Sequence, residues 1–293
     1  MYHLLYGFLY LTSLLPFWIL YAISDFFYFI IYHVWGYRKD VVMNNLVIAF
    51  PEKDISERKK IAKQFYKNLI DSFIETIKLL SISKKELNKR FTWNSENLNQ
   101  HFNSGKNVQL HLGHFFNWEY ANFGLSLHSI YTVLIVYMPI ASKAVDKLFY
   151  KLRSRFNAKM VAATHFRRDF APFMKERYCI VFVADQNPGM TEIAYWSNFM
   201  GRPVPFVTGP EKSARLNNCI VYYVKFSKLK RGFYHVDFIL LTDEPRKLKE
   251  GELTRKMIDN VESSIKENPP LYLWSHRRWK HQFNPEKHEH LLI

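Results

Sequence analysis

Cysteine is nearly missing from this chain: there are two in 293 residues. Cys179 and Cys219 both lie inside apolar, strand-like runs. They read as core fillers in a reducing compartment, and nothing speaks for a disulfide. No run of five or more Lys or Arg occurs, which argues against a nucleic-acid-binding arm. No G-x-S-x-G elbow is present, so nothing points to a serine acyl-enzyme. A P-loop and a dinucleotide fingerprint are also missing. Charge is scarce at the start, where Asp25 is the one formal charge in residues 2–36. No basic stretch precedes that apolar segment and no A-x-A-like site comes after it, which disfavours a cleaved signal peptide. Internal repeats, low-complexity tracts and linkers are absent too. The simplest division is a membrane segment over 1–36 and then one catalytic domain over 37–293.

What is abundant is apolar and basic. Hydrophobic residues make up 48% and aromatics 17%, with a formal net charge of +15. Large amphipathic rings suit a membrane–water boundary. The basic residues form short clusters: Arg38-Lys39, Arg58-Lys59-Lys60, Arg167-Arg168, Lys228 to Arg231, and Arg277-Arg278. Such a surface favours anionic lipid, a phosphorylated substrate, an acidic carrier protein or nucleic acid, and composition does not choose among them. Leu4 to Ser24 is 21 residues without a charge, about the length that spans a bilayer. Pro16 falls inside the run and would kink a helix, and an interfacial helix fits the many tyrosines equally well. Arg38 and Lys39 flank the segment on its C-terminal side and place the rest of the chain in the cytoplasm.

Further along, Asp54 can cap a helix over about 55–80 that carries Ile61, Phe65, Leu69, Phe73 and Ile77 at helical spacing. Strands are expected at 108–112, 131–138, 159–163, 179–184, 220–226, 233–241 and 271–275. Helices are expected from about 116, then over 141–156, 165–175, 211–217 and 253–266. Strands alternating with helices give an α/β fold with a mostly parallel central sheet flanked by helices.

The stretch HLGHFFNWE (111–119) ends the first of these strands. His114 and Glu119 form a His-x4-acid pair, but with 12 His and 26 acidic residues roughly one such match arises by chance. Two occur, and the second, His281–Glu286, falls in a polar tail. The setting of the first is what distinguishes it. Residues five apart on one helix are rotated by about 140°. The two therefore meet if His114 lies in the turn and Glu119 in the first helical turn, with Gly113 permitting the turn and Asn117 capping. A carboxylate on one imidazole nitrogen would make the other a base for a hydroxyl proton. In open α/β sheets ligands bind beyond the carboxyl ends of strands, where this pair falls. The alternatives are a core histidine beside a surface glutamate, or two zinc ligands in His111-x-x-His114. No Cys or acidic cluster completes a metal site, and His111 reads as packing or as holding His114.

HLGHFFNWE, then VADQNPG (183–189), FMGRPVPFVTGPEKSAR (199–215) and PPLYLWSHRRWK (269–280), in that order, resemble the bacterial lipid A biosynthesis (late) acyltransferase family, of the glycerophospholipid acyltransferase type. The resemblance implies an enzyme anchored at the cytoplasmic face of the inner membrane. It would move a fatty acyl chain from acyl carrier protein, or from coenzyme A, to a hydroxyl of a phosphorylated lipid A precursor, with no metal, cofactor or nucleic acid. It implies His114 as general base and Glu119 as its orienting acid. It gives Asp185 and Gln186 as a turn that walls or touches the site, and Thr208 and Gly209 as the start of a helix facing the oxyanion. Arg153 and Arg155, with Lys143 more weakly, match a basic position for lipid phosphate or donor. The roles of Arg277, Arg278 and Lys280 are less defined. Transfer would be direct, without an acyl-enzyme. The same chemistry on a glycerophospholipid, aminolipid or glycolipid, a non-catalytic lipid-binding protein of this fold, and a metal-dependent hydrolase are the alternatives.

Overall fold

The computed structural model describes residues 2–94 and 96–293, apart from the side chains of Glu96 and Asn97. Two apolar helices come first, α1 (Tyr2–Leu14) and α2 (Phe17–Phe29), the second continuing as a π-helical turn over Ile30–Trp35. The uncharged run is therefore not one helix. Pro16, which lacks an N–H, ends α1 and starts α2, and the stretch long and apolar enough to cross a membrane is Phe17–Trp35. Next come α3 (Lys39–Ala49), α4 (Ile55–Lys78), α5 (Lys84–Arg90), β1 (Phe91–Trp93) and α6 (Glu96–Asn99). The α/β body begins with β2 (Val108–Leu112), α7 (Trp118–His128), β3 (Thr132–Tyr137), α8 (Lys143–Arg153), β4 (Lys159–Ala162), α9 (Phe166–Phe170) and β5 (Tyr178–Val183). It closes with β6 (Tyr195–Phe199), β7 (Arg202–Phe206), α10 (Gly209–Asn217), β8 (Ile220–Lys230), β9 (Phe233–Thr242), α11 (Glu252–Glu267) and α12 (Pro285–His288).

Seven strands form the main sheet in the order β1-β9-β8-β2-β5-β3-β4. Every pairing is parallel except the β8–β9 hairpin. β2 lies between β5 and β8 and is buried along its whole length. Its register with β5 aligns Leu112 with Val183, so the two chains leave the sheet side by side. That adjacency positions the functional site.

Several local rules are visible. Asp54 and Glu57 form a reciprocal capping box at the start of α4. Of the helical stripe, Phe65 and Leu69 are buried whereas Phe73 is exposed. The expected helix over 165–175 breaks into short turns at Pro172. The expected strand 271–275 is instead a 3₁₀ turn over Pro269–Leu271 and an irregular run making one bridge, Phe115 to Tyr272. β6 and β7 form a two-stranded ribbon, with one further bridge from Trp196 of β6 to Leu292, and Pro203 and Pro205 are tolerated because β7 is an edge strand of that ribbon.

The N-terminal helices are bonded to the body through polar groups. Lys78 Nζ donates to the carbonyls of Ser13 and Leu15 at 2.8 and 2.9 Å. Arg231 bridges Asp25 of α2 to buried Asp71 of α4, and Ser24 donates to the same Asp71 at 2.7 Å. Gly232, in the β8–β9 turn, has φ +74°, and a Cβ there would lie 1.9 Å from the Tyr21 hydroxyl. Both the turn and the approach of α2 thus require glycine. Many large side chains of α1 and α2 remain exposed, including Leu4, Phe8, Leu11, Trp18 and Phe26.

Candidate functional site

His114 stands just beyond the C-terminal end of β2, and Asp185 just beyond that of β5. His114 Nδ1 lies 2.5 Å from Asp185 Oδ1, and the His114 backbone N–H donates to Oδ2 at 3.0 Å. An ionised carboxylate can only accept, so Nδ1 carries a proton, and in the neutral ring the lone pair lies on Nε2. Among the described residues no hydrogen bond engages Nε2. Asp185 is fully buried; burial raises its pKa, but the His114 charge and hydrogen bonds, with Arg278 nearby, outweigh this and leave it lowered.

The carboxylate hydrogen-bonded to His114 is therefore Asp185, where the His-x4-acid spacing leads one to expect Glu119. Glu119 accepts from Arg153 Nε with both oxygens at 3.1 Å and from Arg153 NH2 at 2.5 Å, and from Trp118 Nε1 at 3.2 Å. Burial works against the Arg153 charge, yet the Glu119 pair leaves its pKa raised. Sequence spacing pointed to a partner five residues along the chain. The sheet register supplies one 71 residues away.

The turn that carries His114 is clamped. Leu273 N–H donates to the His114 carbonyl and Phe116 N–H to the Leu271 carbonyl, both at 3.0 Å. Asn117 caps α7, its Oδ1 accepting from Glu119 N–H at 3.1 Å, while its Nδ2 donates to Glu75 at 3.0 Å. Glu75 is wholly buried, which raises its pKa, and it also accepts from Tyr21 and Tyr234 hydroxyls.

A cavity of about 900 Å³ opens at His114. Trp118, Glu119, Arg153, Gln186, Gly209, Pro210 and Lys280 line it along with His114. Its remaining wall is largely hydrocarbon: Leu110, Leu125, Val181, Val224, Val236, and Phe91, Trp93 and Phe238 from the β1–β9 side of the sheet. Gly209 opens α10 at this wall, and a Cβ there would meet nothing within 4 Å. Glu211 fixes that helix by accepting from Gly251 N–H and from the N–H and hydroxyl of Thr254. Thr208 sits at the N-cap, and its side chain makes no capping bond.

Not every expected residue is brought here. Arg155 donates instead to the carbonyls of Leu79 and Ile82 after α4. Lys143 is exposed at the start of α8, outside the cavity lining, as is Arg277 after the LYLWS run. Arg278 is buried, donates to Asn187 Oδ1 and the Pro205 carbonyl, and is pulled by burial down to about 10. His111 is buried in β2 with Nε2 2.6 Å from Gln109 Nε2. Burial lowers its pKa to about 3, so it is a neutral core group. Among the described residues no cluster of three His, Cys, Asp or Glu could hold a metal.

Two contributors went unseen in the sequence. Trp118 packs edge-on to His114 with ring centroids 5.5 Å apart. His276 lies near Asp185, hydrogen-bonds Asn187, and is pushed by burial to about 4. Asp185 itself had a usable signal, since an acid directly after a buried strand that pairs with β2 must emerge beside His114.

A search among curated proteins finds no match to this chain. The sequence profile described as bacterial lipid A biosynthesis acyltransferase, however, matches residues 1–281. With that match over nearly its whole length, the chain belongs to the bacterial lipid A biosynthesis acyltransferase family.

Proposed function

We propose that the protein transfers a fatty acyl chain from an acyl thioester, carried by acyl carrier protein or coenzyme A, to a hydroxyl of a lipid A precursor. The carrying observation is the 2.5 Å contact between His114 Nδ1 and buried Asp185 at the edge of a large apolar cavity. In this reading Nε2 takes the proton of the acceptor hydroxyl as the oxygen attacks the thioester carbonyl carbon. The tetrahedral intermediate then expels the thiolate, which receives the proton from His114. Asp185 fixes the tautomer and stabilises the imidazolium. No acyl-enzyme forms. The N-terminal end of α10 at Gly209 faces the developing oxyanion, and one well-placed N–H there contributes about 10²–10³ in rate.

Glu119 and Arg153 act as a neutral polar wall rather than as the dyad. The hydrocarbon wall from Leu110 to Phe238 suits the donor's acyl chain. The net charge of +15 suits steering of an acidic carrier and of a phosphorylated lipid. Residues 1–36 anchor the domain at the cytoplasmic face of the inner membrane, through the exposed apolar side chains of α1 and α2. The test is transfer from an acyl thioester to a lipid A precursor by the full chain, read by mass spectrometry, with Asp185→Asn and Glu119→Gln alongside. Loss of transfer in the first and retention in the second support this assignment; the reverse overturns it.

A further inference from the structure

A second cavity, of about 540 Å³, lies between α2 with its π-helical turn and α4. Phe27, Ile31 and Trp35 form one side and Leu69, Ile70 and Phe73 the other. It shares Trp118, Glu119, Ile140 and Arg153 with the cavity at His114. Phe27, Trp35 and Phe73 line it and are also exposed, beside the exposed Phe26, Phe29 and Val34. The groove thus runs from the apolar outer face of the N-terminal helices to the Glu119–Arg153 pair.

Its two charged groups already hold each other, Arg153 on Glu119, and the Thr76 hydroxyl donates to the Ser72 carbonyl at 2.7 Å. Among the described residues no other charged side chain lines it, so no free cation there would recognise a phosphate. A wall built from the most apolar helix of the chain favours an occupant already dissolved in a bilayer, whereas a thioester on a water-soluble carrier arrives from the other phase.

We propose that this groove takes one hydrocarbon chain of the acceptor lipid, entering sideways from the membrane, and that the Glu119–Arg153 pair separates it from the donor's chain. The proposal rests on the acyl-transfer reading and assigns its two substrates to two grooves. Each substrate then reaches His114 from the phase it occupies, and neither has to leave for the other to bind.

The experiment uses the full chain in mixed micelles, with an acylated lipid A precursor as acceptor and palmitoyl-coenzyme A or palmitoyl-acyl carrier protein as donor. Ile31→Trp narrows the groove. The acceptor KM is expected to rise roughly tenfold, equivalent to losing about two buried methylenes, while the donor KM stays within twofold. A folded variant with an unchanged acceptor KM, or with a raised donor KM instead, overturns the proposal. A second measurement covers misfolding of that variant and does not depend on turnover. Cys179 and Cys219 are buried, so maleimide labelling of Phe73→Cys reports the groove. The acceptor is expected to slow labelling and the donor is not. Protection by the donor alone, or by neither, overturns the assignment. Absence of transfer by the unsubstituted protein would instead defeat the acyl-transfer reading, with labelling still deciding what enters the groove.

Discussion

Asp185→Asn separates the two carboxylates that sequence and structure nominate for His114. The carboxylate accepts two donors at once, Nδ1–H at 2.5 Å and the His114 backbone N–H at 3.0 Å. An amide offers one acceptor oxygen. If that oxygen faces the backbone, the amide N–H meets Nδ1, which must become the acceptor and moves the ring proton to Nε2. If it faces Nδ1, an N–H confronts the backbone N–H at a fully buried side chain. The first arrangement removes the base; the second displaces the turn. The same substitution in a serine-hydrolase triad costs about 10⁴ in kcat, so a loss of about 10³–10⁴, or ~4–5.5 kcal/mol in the barrier, is expected. Glu119→Gln leaves Arg153 without its charged partner. It should cost stability, about 3 kcal/mol for breaking a buried pair, more than it slows the chemical step. Initial rates at saturating thioester, with thermal unfolding in the same detergent, read both. If Asp185→Asn stays within tenfold of the parent while folded Glu119→Gln is inactive, the Asp185 assignment is refuted and the His114–Glu119 dyad restored.

Other parts of the molecule carry further expected outcomes. Gly209→Ala adds a methyl where nothing lies within 4 Å; it should leave thermal stability intact or slightly raised and lower kcat by obstructing the cavity wall. Phe238 lies on β9, two strands from β2, roughly 10 Å at the usual strand spacing. Phe238→Ala should shift competition between thioesters toward longer chains, by about fourfold for each methylene newly accommodated. The folded-state pKa of His111 is depressed from 6.5 to about 3. Between those values the unfolded chain binds a proton that the folded one refuses, so stability is full above pH 6.5 and falls by about 1.4 kcal/mol per pH unit as acid is added. His111→Gln should lessen that slope by one proton's worth in pH-dependent unfolding, and an identical slope would contradict it. Asp71→Ala removes the buried partner of Arg231 and Lys228 and should lower stability by about 3 kcal/mol, with faster proteolysis of the N-terminal helices as its signature.

Periodicity was enough for the long elements. The stripe on α4, the buried runs of β2 and β5, and the alternation of strands and helices gave the parallel sheet its expected form. Where elements are short or made by partners far along the chain, the local pattern failed. β1 has three residues, and the β6–β7 ribbon carries two prolines. The run after Pro269–Pro270 looks like a strand but spends its backbone clamping the His114 turn. His114 was legible because it ends a buried strand. The carboxylate that hydrogen-bonds it is not legible from spacing, which reports neighbours along one segment such as Glu119, whereas parallel pairing of β2 with β5 brings Asp185 alongside. Arg155 shows the same limit: a basic residue at a helix end caps carbonyls as readily as it binds a substrate.

Acyl transfer by the purified full chain, compared with His114→Ala, bears most directly on the proposed chemistry. With an acyl thioester and a lipid A precursor, mass spectrometry should find one added acyl chain on the lipid and one equivalent of free thiol. In the substituted protein, unfolding at the parental Tm, the rate should fall by about 10²–10⁴, the usual contribution of a general base. A His114→Ala protein that acylates the lipid at the parental rate would contradict the mechanism at its root.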